Sequence, residues 1–182
     1  MRKALTLTAA VTVLTASLAG CGGSGSSGGD AAPAKSAPAH AASPKAAAAQ
    51  AKPLTAQTAF AKVSADVSTA KLSGTVTADN DPNHLLGRPN QYTSKITFDD
   101  TRISADDVTG TDKGDVERGG AIEAFGSPAD AQARAKYIQA VTKSMPMLTE
   151  YDYVHGTVLV RLSHYLTPKQ AADYKTATDN LG

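Results

Sequence analysis

The residues best suited to acid–base or nucleophilic chemistry are three histidines, His84, His155 and His164, in the C-terminal two thirds of the chain. A Ser-His-Asp site needs a nucleophile hydrogen-bonded to an oriented base, but no serine lies in a Gly-x-Ser-x-Gly elbow. The single cysteine, Cys21, lies near the N-terminus and leaves no candidate thiol nucleophile beyond it. His155 precedes Gly156 and is interpreted as a turn residue, and His164 as a strand-end residue. The sequence therefore predicts a protein that is not an enzyme.

Acidic residues crowd the stretch 99–117, which suggests a metal loop. The carboxylates are Asp99, Asp100, Asp106, Asp107, Asp112, Asp115 and Glu117. Calcium favours several carboxylate oxygens on a flexible loop, yet the EF-hand spacing is absent, and no His/Cys spacing suits zinc. We interpret the stretch as a solvated acidic loop with calcium as the open alternative, and we predict no metal site and no cofactor.

A second loop combines apolar and basic residues. Leu85 and Leu86 precede Arg88 within a polar stretch, and such a loop either plugs the core, with Arg88 paired to a carboxylate, or lines a cleft. Arg88 and Lys95, near Tyr92, could hold an anion. Because loops carry function disproportionately often, the residues of a possible ligand or interaction loop are His84, Arg88 and Tyr92.

Tyrosines cluster around residues 150–165. Strand periodicity places Tyr151, Tyr153 and His155 on one face. An exposed face of this kind would be an interaction patch, and one covered by a helix would be core. The number of predicted helices favours core.

The N-terminal segment has the pattern of a signal peptide. Arg2 and Lys3 precede an uncharged run over 4–19, and small residues lead to a cysteine. The sequence Leu18-Ala19-Gly20-Cys21 resembles the lipobox of bacterial lipoproteins. That resemblance implies cleavage before Cys21, a diacylglyceryl group on its thiol and an anchor on the extracytoplasmic face of a cell membrane. Two acyl chains suffice for stable anchoring, whereas one does not.

Residues 21–53 are predicted to form a disordered linker, because they consist mainly of Gly, Ser, Ala and Pro. Residues 1–20 are the predicted signal peptide, and 54–182 a single globular domain. The whole chain carries a net charge of +1, but residues 54–182 hold 13 Lys and Arg against 16 Asp and Glu. A domain with a net charge of −3 does not suit nucleic acid, whose binders carry a basic stripe.

The positions of apolar and cap residues predict the elements of this domain. In chain order they are a helix over 55–71, a strand over 91–98, a short strand that includes Ile103 and Val108, a strand over 121–125, a helix from Ser127 to about Ser144, a hairpin of strands 150–155 and 157–163, and a helix from Thr167. In the 91–98 strand, Tyr92, Ile96 and Phe98 are predicted on one side. The order predicts an α+β two-layer sandwich, a small mostly antiparallel sheet with helices packed on one face, compatible with a ferredoxin-like arrangement that lacks its last strand.

Four segments, 81–89, 119–125, 151–156 and 166–172, resemble small actinobacterial lipoproteins of unknown function. The resemblance implies an exported α+β domain and no activity. We therefore expect a membrane-anchored extracytoplasmic lipoprotein that acts as a non-catalytic binding or interaction module in the cell envelope. Its expected partners are the membrane, through Cys21, and an envelope protein or a small ligand. The alternative is a cell-envelope enzyme or enzyme inhibitor.

Overall fold

The computed structural model describes residues 53–182. The predictions for the signal peptide, the lipobox residues 18–21 and the linker lie outside the described residues. The elements, in chain order, are α1 (Ala56–Asp66), β1 (Ala70–Thr75), β2 (Ser94–Asp100), β3 (Gly119–Ala124), α2 (Pro128–Thr142), β4 (Glu150–His155), β5 (Val158–Ser163) and α3 (Pro168–Asp179), with short 3-10 turns at Val116–Arg118 and Pro146–Leu148.

The five strands form one antiparallel sheet in the order β1-β2-β3-β5-β4. The predicted α+β class with a small antiparallel sheet is confirmed. The hairpin of β4 and β5 turns at Gly156, whose φ of 54° suits glycine. The ferredoxin-like order is not observed, because three antiparallel strands precede α2.

Side chains at the first turns explain where the helices begin. Thr55 and Thr58 form a capping box at α1, and Thr167 and Gln170 form another at α3. The Ser127 hydroxyl accepts a hydrogen bond from the Asp130 N–H at the start of α2. Each cap satisfies backbone donors that the first turn leaves unpaired, so the predicted starts of the last two helices are confirmed.

The helices cover both faces of the sheet, which corrects the expectation of helices on one face. On the first face, α1 and α3 pack on a cluster that includes Ile96, Ile122 and Val160. On the opposite face, here called the α2 face, Ala131, Ala135 and Ile138 of α2 pack on Tyr92, Phe125 and Leu159. The physical reason is that β5 is apolar on both sides, with Leu159 and Val160 both fully buried.

Two other element predictions were wrong, and one strand was not predicted. The first helix ends at Asp66 rather than 71, and the strand β1 follows it with one large apolar residue, Leu72, which is 54% exposed. No strand forms around Ile103 and Val108, which lie in turns. Strand β1 buries only Ala70, so no apolar alternation marks it in the sequence. Ile103 and Val108 are five residues apart and do not form the period-2 pattern of a strand.

The prediction that Tyr92 shares a side with Ile96 and Phe98 was also wrong. Strand β2 begins only at Ser94, so Tyr92 precedes the regular alternation. Its ring packs edge-on against Phe125 on the α2 face, with ring centroids 6.3 Å apart. Ile96 and Phe98 belong to the cluster under α1 and α3.

Candidate binding cleft

The three residues predicted to form a ligand loop lie in different environments. His84 and Arg88 are exposed, whereas Tyr92 is fully buried. The Tyr92 hydroxyl donates to the Asp81 carboxylate at 2.7 Å, and the N–H groups of Leu85 and Leu86 donate to the same group at 2.8 and 2.9 Å. The loop thus plugs the α2 face through Leu85, Leu86 and Tyr92.

The carboxylate that anchors this loop belongs to Asp81, and its partner is not Arg88. Arg88 forms no ion pair with any residue of 53–182. Burial raises the pKa of Asp81, but the hydrogen bonds from Tyr92 and three backbone N–H groups outweigh it and lower the pKa to about 2. The structure therefore does not bring His84, Arg88 and Tyr92 together.

Three of the acidic residues of 99–117 have structural partners of their own. Asp100 is buried, pairs with Arg102 at 2.8 Å and accepts a 2.6 Å hydrogen bond from the Tyr174 hydroxyl. Asp99 lies 3.5 Å from Arg118, and Asp115 closes a turn by accepting from the Asp112 N–H. Over residues 53–182, no group of three or more His, Cys, Asp or Glu side chains is placed to hold a metal ion.

A cleft of about 970 Å³ opens on the α2 face. Its walls come from α2, the 3-10 turn Pro146–Leu148, the loop 82–91 and the segment 114–117. Lys95, Glu150 and Arg161 line it from the strands, and Tyr137, Val141 and Leu148 form an apolar lip. The volume and the mix of an apolar wall with a few charged groups are typical of a small-molecule site.

A buried ion-pair network underlies the cleft. The Glu123 carboxylate is fully buried and lies 3.1 Å from Lys95, 3.1 Å from Arg134 and 3.2 Å from Arg161. Arg161 also pairs with Glu150 at 3.0 Å. Burial raises the pKa of Glu123, but the three cations outweigh it, so the pKa lies below its ordinary value. The network therefore holds Glu123 ionised.

Arg134 is the cation of this network that can bind an additional anion. Its Nε donates to Glu123, and its guanidinium lies 5.7 Å from the centre of the Tyr137 ring. The two terminal nitrogens of Arg134 form no hydrogen bond with any residue of 53–182. A guanidinium held at Nε presents those two nitrogens as a fork that matches a carboxylate or phosphate.

Two further carboxyl groups adjoin the network. Burial raises the pKa of Glu150 despite the attraction of Arg161. Burial and the charge of Glu150 raise the pKa of Asp152 to about 7, against smaller opposing effects of Arg161 and Gln139. Neither Asp152 oxygen has a hydrogen-bond partner of ordinary geometry within the described part of the chain. Asp152 lies opposite Arg161 in the sheet and does not line the cleft.

The histidines and tyrosines fall mostly outside the cleft. His84 and His155 do not line it, and His164 does, with its ring 4.1 Å from that of Tyr165. Tyr151 and Tyr153 are half-buried against the cluster under α3. Their face is therefore largely core, as the number of predicted helices indicated.

Sequence reasoning missed the charged floor of the cleft. The available signal was a charge within each of three apolar strands, at Lys95, Glu123 and Arg161. Lys95 and Glu123 are direct cross-strand partners, but the pairing that joins them follows from the sheet register and is not visible in the linear sequence.

Comparisons with protein families, with curated proteins and with solved structures found no match to the chain. No helix within residues 53–182 is long and apolar enough to cross a membrane. Fold and cleft thus define an α+β domain with a five-stranded antiparallel sheet and a charged cleft on one face.

Proposed function

We propose that the chain is a lipoprotein, anchored through Cys21 on the extracytoplasmic face of the cell membrane, whose domain is a non-catalytic binding module. Its ligand is a small molecule with an anionic group, bound in the cleft on the α2 face. The observation that carries this proposal is the guanidinium of Arg134, fixed by Glu123 and with two nitrogens available for a ligand.

The composition of the cleft suits a ligand with an apolar part beside its anionic group. The lip residues Tyr137 and Leu148 are 62% and 44% exposed. An aromatic or aliphatic group could pack there while its carboxylate meets Arg134. The acidic residues Asp115, Glu117 and Asp130 also line the cleft, and they oppose ligands with several negative charges.

Binding of benzoate, with neutral benzamide as its matched control, tests the cleft. In saturation-transfer NMR on the purified protein, we expect a stronger signal for benzoate than for benzamide. Arg134→Gln should abolish the difference because it removes the guanidinium fork. Arg88→Gln, an exposed change outside the cleft, should leave it unchanged.

The opposite pattern would refute the cleft proposal. A benzoate signal that survives Arg134→Gln and disappears in Arg88→Gln would assign binding to the loop 81–92. Circular dichroism should confirm that both variants retain the fold.

The anchor has a separate test. Cys21→Ala should block processing or release the protein from membranes, because only the thiol accepts the diacylglyceryl group. A normally processed Cys21→Ala protein that stays in the membrane fraction would contradict the anchor.

An enzyme of the cell envelope is the alternative proposal, and the unpaired carboxyl of Asp152 is the observation that favours it. A carboxyl group with a pKa near 7 is typical of an acid–base catalyst. Asp152 does not line the cleft, however, and the Glu123 carboxylate is held by three cations. Binding without catalysis therefore has the stronger support.

A further inference from the structure

Most of α2 and the turn after it differ from the rest of the domain in charge. Residues 131–149, here called the acid-free segment, contain Arg134, Lys136 and Lys143 and no Asp or Glu. The domain 54–182 as a whole has a net charge of −3. The acidic neighbours along the chain are engaged, since Asp130 contacts the Ser127 hydroxyl and Glu150 pairs with Arg161. Asp115 and Glu117 line the same cleft as Tyr137 and Leu148, but not as part of this segment.

The acid-free segment also concentrates the exposed apolar side chains. Of the six large apolar residues exposed within 53–182, four lie in it, namely Tyr137, Met145, Met147 and Leu148. Met147 is 77% exposed, more than any of the others. Methionines are flexible and polarisable, so they adapt to irregular partners.

The lysines flank these apolar residues. Lys136 lies in α2 and Lys143 is its C-cap residue, still with helical backbone. Both are exposed and lie seven residues apart, so they share one side of the helix end. Apolar side chains with lysines beside them suit the boundary between headgroups and acyl chains. There the apolar groups enter the acyl region and the lysines remain with anionic headgroups.

We propose that the acid-free segment docks the domain onto an anionic phospholipid surface. This inference rests on the proposed anchor, which would keep such a surface within reach. Cys21 and Pro53 are separated by 31 residues, and a linker of that length would span about 30 Å if it is disordered as its composition predicts. A domain of about 130 residues has a radius of gyration of about 14 Å, so the linker permits this face to reach the membrane.

The anchor makes a weak docking surface sufficient. A short flexible tether gives an effective concentration in the millimolar range, so contacts too weak to recruit a free protein would still hold the anchored one. Met145 and Met147 do not line the cleft, so they can enter the lipid while the lip residues Tyr137 and Leu148 stay available to a ligand.

Tryptophan quenching in vesicles tests this proposal. The chain has no tryptophan, so Met147→Trp supplies a single emitter in the segment. Leu72→Trp supplies a matched one on β1, because Leu72 is also an exposed large apolar residue. The lipidated protein is reconstituted in phosphatidylcholine and phosphatidylglycerol vesicles with brominated acyl chains, and circular dichroism verifies the fold.

We expect the tryptophan at 147 to be quenched at least twofold and the one at 72 little. Vesicles of phosphatidylcholine alone, or the added changes Lys136→Glu and Lys143→Glu, should reduce quenching at 147. Equal quenching at both positions, or none at 147 while the protein floats with the vesicles, would overturn docking. A crosslinked dimer with an emission shift at 147 and no quenching would assign the surface to a second copy instead.

Flotation separates this inference from the anchor it rests on. A protein that does not float with vesicles refutes the anchor. In that case the protein is titrated with millimolar anionic lipid without an anchor. Quenching at 147 then supports docking, and the absence of quenching overturns the proposal.

Discussion

Replacing Asp152 with asparagine should stabilise the protein above neutral pH. The side chain lies on the α2 face, and neither carboxyl oxygen has a hydrogen-bond partner among residues 53–182. Burial, reinforced by the charge of Glu150, raises its pKa to about 7 from an ordinary value of 3.8. Asparagine has the same shape and cannot ionise, so Asp152→Asn removes the charge and keeps the packing.

The magnitude follows from proton linkage. Below pH 3.8 the carboxyl is protonated in both the folded and the unfolded state, so its ionisation contributes nothing. Between pH 3.8 and 7 the unfolded state loses this proton while the folded state keeps it, so stability falls as the pH rises. At 1.36 kcal/mol per pKa unit, the penalty reaches about 4 kcal/mol above pH 7.

Urea unfolding followed by far-UV circular dichroism measures this effect. The stability difference between Asp152→Asn and the parent protein should shift in favour of the variant by about 2.5 kcal/mol between pH 5 and pH 8. Other titrating groups largely cancel in that difference. Asp106→Asn, an exposed change, should show a constant difference. If the difference for Asp152→Asn is also constant, the carboxyl is not held in a desolvated site and the reasoning fails.

Three other variants test the packing by the same unfolding assay. Glu123→Gln should lower the free energy of unfolding by about 3 kcal/mol or more, because the buried Lys95 and the partly buried Arg134 and Arg161 lose their shared carboxylate. A loss below about 1 kcal/mol would contradict a central role for Glu123. Gly120→Ala should strongly destabilise the sheet, because a Cβ there would meet the Phe98 ring at 2.5 Å. Gly126→Ala is the control, because a Cβ at 126 has open space. An equal loss of unfolding free energy in both variants would refute the packing argument. Asp81→Asn should cost about 2 kcal/mol, because the loop 81–92 loses a charged acceptor; an unchanged stability would show that the loop is held by its leucines.

Local signals predicted the helices and the hairpin. Ser127 and Thr167 are strong caps followed by proline, and both act within one helical turn. Gly156, between two alternating runs, predicted the β4–β5 turn, and this signal is also local. Strand β1 gave no such signal, since it is an edge strand whose main contacts are backbone hydrogen bonds to β2. Those bonds form with any side-chain pattern.

The cleft depends on sheet register and on the face that each helix covers, and neither is local. Lys95, Glu123 and Arg161 are far apart in the chain and meet only because β2, β3 and β5 are neighbours in the sheet. The prediction that all helices pack on one face leaves the other face open to solvent. Lys95, Glu123 and Arg161 on that face would then be ordinary surface charges and would not indicate a cleft. The loop residues singled out from the sequence proved more important for packing, through Tyr92 and Asp81, than for lining the cleft.

The two faces of the sheet differ in a way that bears on function. The face under α1 and α3 buries a large apolar cluster and can supply most of the stability. The α2 face has a smaller apolar cluster beside the Glu123 carboxylate and the three cations that contact it, Lys95, Arg134 and Arg161. Buried ion pairs are often no more stabilising than apolar residues of similar volume, and an ionised Asp152 would oppose folding. A face with so little apolar packing, beside an open cleft, is more readily explained by recognition than by stability, and this supports the ligand binding proposed for it.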